Sequence, residues 1–137
     1  MSQPQQTITR TPCPEELRME FLPNAVGNKF LQYEALTFTF MDKACHEYNG
    51  GHWHFYHLSN GGFYMAPNRS DKLEMTWADN FFEGEMSADA AGIAISLMAQ
   101  NAFAWEVDAG RFTEKYHALL DYASEHEEGA LIYRFID

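Results

Sequence analysis

His52 and His54 are separated by one residue, which on a β-strand places two imidazoles on one face about 7 Å from each other. Zinc accepts that geometry when a third or fourth His, Cys or carboxylate completes the shell. His57 falls on the opposite face and His46 lies beyond Gly50-Gly51, so Glu47 or a distant acid would have to supply the next ligand. The same alternation sends Trp53 and Phe55 to a core face and leaves His52 and His54 in solvent. That simpler reading is preferred, and no metal or cofactor is assigned. Nucleophiles fare no better. Ser59 and Ser87 lack a strand-to-helix elbow, and Ser87 reads instead as a helix N-cap. Cys13 and Cys45 form no CxxC pair and sit in no context that lowers a thiol pKa. The glycine pairs 50–51 and 61–62 open no Lys-Ser/Thr helix, so turns needing positive φ explain them better than a phosphate loop. No catalytic residue is assigned.

These residues crowd into Tyr48–Pro67, which holds four of the nine glycines and three of the six histidines. Two aromatic-rich runs flank Asn60-Gly61, the strongest short-range hairpin signal. Strands are expected at about His52–Leu58, Gly62–Ala66, Lys72–Trp77 and Phe81–Met86, joined by Asn/Asp/Gly turns as an antiparallel meander. Ahead of them, residues 1–14 are polar and aperiodic and read as a flexible arm. Pro14-Glu15-Glu16 starts a short helix that Pro23 and Gly27 punctuate. Apolar positions Leu31, Ala35, Phe38, Met41, Cys45 and Tyr48 predict a helix from Asn28, its cap, to about Tyr48. After the strands, Ser87 caps a helix to about Trp105 that is apolar on nearly all sides, with a small-residue side suited to close backbone approach. Helices at about Ala109–Glu125 and Gly129–Ile136 complete the chain. The fold class is therefore α+β: a small antiparallel meander of about four strands packed by several helices, in a single domain over residues 15–137.

At 137 residues and 46% hydrophobic, the chain can bury a core; folding at this size hides roughly 65–70% of the unfolded surface. Its net charge of −11 disfavours non-specific nucleic-acid binding, which relies on Lys and Arg. It permits either a charge-solubilised protein or a mimic of DNA's negative surface. The acid clusters Asp79, Glu83, Glu85, Asp89 and Asp121, Glu125, Glu127, Glu128 are interrupted by lysines and arginines, so a solvated face is the simpler reading of each. Residues 1–6 form no secretory signal. The most apolar window, Ala88–Ala99, falls short of the about 18 residues a membrane span needs. A cytoplasmic protein without membrane contact is expected.

The run Tyr48-x-Gly-Gly-x-Trp-x-Phe-Tyr-x-Leu-Ser-Asn-Gly-Gly-Phe-Tyr-Met-Ala-Pro67 closely resembles the antirestriction proteins of the ArdB/KlcA family. So do Ser87-Ala-Asp-Ala-Ala-Gly-Ile93, Ile132-Tyr-Arg-Phe-Ile-Asp137 and the block Arg18–Pro23. The resemblance spans nearly the whole chain from about residue 15. It implies a compact α+β domain that protects incoming unmodified DNA from type I restriction while leaving modification largely intact. It also implies a non-enzymatic mechanism, with the type I restriction-modification complex as protein partner and no stable nucleic-acid contact. The candidate contact residues are Asp137, matching the family's C-terminal acid, with Asp89 and Asn60 inside the matching blocks. An acidic DNA decoy and a metal-dependent hydrolase using His52 and His54 stay open as alternatives.

Overall fold

The hairpin around Asn60-Gly61 forms, but its neighbours depart from a single meander. The structure, a computed structural model, describes residues 7–137. In chain order it contains β1 (Arg10–Pro12), a 3₁₀ turn (Glu15–Leu17), α1 (Arg18–Val26), α2 (Phe30–Ala44), β2 (Trp53–Leu58) and β3 (Phe63–Pro67). Then follow β4 (Leu73–Trp77), a 3₁₀ turn (Ala78–Asn80), β5 (Phe82–Met86), α3 (Ala88–Glu106), α4 (Ala109–Ser124) and α5 (Gly129–Ile136). All strand pairs are antiparallel, in one sheet ordered β1-β2-β3 and a separate β4-β5 ribbon. The class is α+β, as expected, while the four strands divide between two sheets.

The division has a physical cause in α3. Gly92, Ser96 and Gln100 recur every four residues, so they share one helix face. That face lies along the edge of β3 where a fourth strand would have paired. Ser96 Oγ donates to the Met65 carbonyl and accepts the Met65 N–H, both at 3.2 Å, and Gln100 Nε2 donates to the Phe63 carbonyl at 3.0 Å. Side chains of a helix thus satisfy backbone groups that a neighbouring strand would otherwise satisfy. Pro67 ends β3 without an N–H to offer. All five residues of β3 are buried.

Ser87 caps α3 as expected, accepting the Ala90 N–H at 3.1 Å. Helix α2 is shorter than its apolar period suggested: Asn28 is not its cap, and Cys45 is already extended. Its β-prone Thr37 is helical because the buried hydroxyl bonds back to the Tyr33 carbonyl at 2.8 Å. Within residues 1–14, read as an arm, the described part pairs with the sheet. Arg10–Pro12 pairs with Tyr56–Leu58, and the Cys13 N–H donates to the Phe55 carbonyl at 2.8 Å. Pro12 suits this position because an edge strand tolerates a missing donor. Residues 1–6 lie outside the described part.

Candidate interaction surface

His52 and His54 stand with ring centroids 5.5 Å apart, His52 exposed and His54 half-buried. Trp53 and Phe55 take the core face, Trp53 donating its indole N–H to the Tyr48 hydroxyl at 2.7 Å. Among the described residues no group of three or more His, Cys, Asp or Glu is placed to hold a metal.

Asn60, a contact candidate, uses its polar atoms internally. Its amide donates to the Ala118 carbonyl at 2.9 Å, and its Oδ1 accepts the Gly62 N–H at 3.2 Å. Lys115 Nζ adds a bond to the Gly61 carbonyl at 2.8 Å, so α4 grips the hairpin tip. Gly61 holds φ +91°, a conformation natural to glycine.

Asp89, the second candidate, is the hub of a clasp that joins both chain ends to the centre. Its Oδ1 accepts from Arg10 Nη1 at 2.6 Å and from the Tyr64 hydroxyl at 2.7 Å, and its Oδ2 meets His126 Nε2 at 2.9 Å. His126 Nδ1 accepts the Glu128 N–H, which places the ring proton on Nε2 in the neutral form. The Glu128 carboxylate in turn binds the Ser87 N–H and hydroxyl at the start of α3. The acids of the two sequence clusters, read as solvated, therefore include three that bond internally: Asp89, Glu128 and Glu125, whose Oε1 accepts the Ile8 N–H at 2.9 Å. Arg10, Tyr64 and His126 were not singled out from sequence; Arg10 lies 79 positions from Asp89, and no local spacing reports such a pairing.

The clasp sets a pH dependence. Burial alone would push the Asp89 pKa up, but hydrogen bonds from His126 and Tyr64 and the charge of Arg10 hold it below its ordinary value. A lowered carboxylate pKa adds stability above the ordinary value and loses it as pH falls through the folded one. The hydrogen bond to Asp89 raises the His126 pKa, against burial and the Glu128 N–H on Nδ1. That contribution is complete below the ordinary histidine value and lost as pH rises through the folded one. Thermal midpoints should therefore be higher near about pH 5.5 than at about pH 8 or about pH 3, and His126→Gln should flatten the alkaline side. An unchanged alkaline slope in His126→Gln would assign it to other groups.

Asp137, the third candidate, remains available to a partner. It is exposed and lines a groove with Asn80, Phe81, Phe82, Tyr133 and Arg134. The corner is held rigidly from beneath. Asn80 Nδ2 donates to the Phe135 carbonyl in the last turn of α5 at 2.7 Å. Phe135 is fully buried, with its ring centroid 5.3 Å from Phe82 and 5.6 Å from Trp77. Arg134 lies over the Phe82 ring at 5.5 Å, and Tyr133 anchors its hydroxyl on the Leu120 carbonyl. Phe81, between the two packed elements, is 93% exposed. The groove combines a carboxylate, a guanidinium and apolar rings, a composition suited to gripping a protein surface.

A family profile described as antirestriction protein matches residues 46–137. An antirestriction protein KlcA of Escherichia coli is 47% identical, over 95% of this chain and 94% of the relative. A second Escherichia coli KlcA is 40% identical over 100% of both chains. A solved structure, described as a KlcA and ArdB fold with antirestriction activity against type I DNA restriction systems in vivo but not in vitro, superposes with a TM-score of 0.91. It is 42% identical, and each chain covers 100% of the other. The sequence blocks, the α+β fold and these full-length matches agree: the chain belongs to the ArdB/KlcA family of antirestriction proteins.

Proposed function

We propose that this protein suppresses type I restriction of incoming unmodified DNA by contacting the restriction complex as a protein, catalysing no reaction and sparing modification. The full-length likeness to the KlcA and ArdB structure carries the reading. That relative's activity in vivo but not in vitro bears on mechanism. A DNA decoy and an inhibitor of the isolated enzyme both need only the purified enzyme to act, so activity confined to cells favours contact with a state of the restriction complex that only cells hold. Asp89 and Glu128 are engaged in internal bonds, which removes these two acids from any phosphate-imitating surface. Asp137, on its firmly held corner, supplies a contact residue. In a host with a type I system, expression should raise the plating of unmodified phage. Asp137→Asn should lower that protection by about tenfold, the worth of one good contact, with an unchanged thermal midpoint. A normally folded Asp137→Asn protein that protects fully would remove Asp137 from the contact surface.

A further inference from the structure

Two features of the β4-β5 ribbon cost the fold stability and serve no packing purpose within it. Phe81 is a non-glycine residue with φ +54°, in the left-handed region. Glycine or asparagine would make this turn with less strain, and the ring is exposed instead of packed. Its neighbour Phe82 does the packing, against Phe135. The second feature is the register. Glu74 stands directly opposite Glu85, and Glu83 opposite Thr76, with the three glutamates exposed. Like charges directly opposite in an antiparallel pair are destabilising. Among the described residues none of the three glutamates takes part in an ion pair.

Strain, an exposed ring and uncompensated carboxylates on one ribbon are intelligible if something covers them. We infer that Phe81 and the Glu74–Glu83–Glu85 face form one docking surface, whose occupant is a protein presenting an apolar pocket edged by lysines and arginines. Charge complementarity selects that occupant. Nucleic acid and an anionic membrane would both be repelled by the carboxylates. A second copy would bring acid against acid in a chain of net charge −11. The inference rests on the proposed protein-contact function and names the chemistry of its partner.

Two variants separate binding from folding, because each should stabilise the free protein. Phe81→Gly removes both ring and strain, and Glu85→Lys places a cation opposite Glu74. Both should raise the thermal midpoint while lowering phage protection by about tenfold or more. A protecting wild type with equally protective variants overturns the docking surface and leaves the proposed function standing. Variants that lose stability and protection together assign a packing role and overturn it as well. A wild-type dimer that Phe81→Gly converts to monomers would give the surface to a second copy, against the inference. A wild type that gives no protection overturns the proposed function and this surface with it.

Discussion

Gly92→Ala is expected to leave little folded protein, although alanine is the better helix former. A Cβ at this position would overlap the Ala66 Cα and Cβ and come within 2.6 Å of the Met65 carbonyl oxygen. Two of those three are backbone atoms of β3, which cannot rotate aside. Relief therefore requires α3 to move off the strand. Ser96 and Gln100, one and two turns further along the same face, would then lose Met65 and Phe63. Each buried backbone group so abandoned costs about 1–3 kcal/mol. Three of them exceed the about 1 kcal/mol that Ala gains over Gly in a helix interior. The loss is comparable to the about 5–15 kcal/mol by which a whole domain is stable. Soluble yield and the denaturation midpoint read the outcome directly. A Gly92→Ala protein as stable as the wild type would show that α3 does not seal the β3 edge.

Asp89→Ala is expected to weaken the fold by about 2–3 kcal/mol and to release β1 first. The Tyr64 hydroxyl would lose its acceptor, and Arg10 and His126 their shared carboxylate. Arg10 and Asp89 keep 40% and 29% side-chain exposure, so solvent screening holds the loss below that of a fully buried charge. Amide exchange separates local release from global unfolding. The Cys13 N–H, bonded to Phe55 across the β1-β2 edge, should exchange faster by a larger factor than the Met65 N–H in the core. Phage protection should fall only as far as folded protein is lost. Protection abolished at full stability would restore Asp89 as a contact residue.

The sequence was most informative where structure is local. Asn60-Gly61, Ser87 and the alternation of Leu73, Met75 and Trp77 are decided by neighbours within a few positions, and each is found where its chemistry placed it. The small-residue side of α3 was visible too, but its destination was not. Only the fold shows that Ser96 and Gln100 stand in for a strand, turning one meander into a sheet and a ribbon. The clasp was hidden for the same reason, since Arg10, Tyr64, Asp89 and His126 come from four separate segments. Phe81 was concealed differently. In sequence it opens β5 on the face of Glu83 and Glu85, whereas the structure ends the 3₁₀ turn there, with Phe81 at positive φ and the strand beginning at Phe82. Of the three contact candidates, Asn60 and Asp89 make internal hydrogen bonds and Asp137 is exposed at the groove.

Protein contact and DNA mimicry differ most sharply in what happens to modification. Unmodified phage can be grown once through type I restricting cells that carry this protein, and the progeny replated on restricting cells that lack it. Inhibition of cleavage alone predicts protected first growth and progeny that plate at nearly full efficiency, because their DNA was methylated on the way. Protected first growth followed by progeny that plate as poorly as unmodified phage would mean that DNA recognition itself was blocked, contradicting the proposed mechanism.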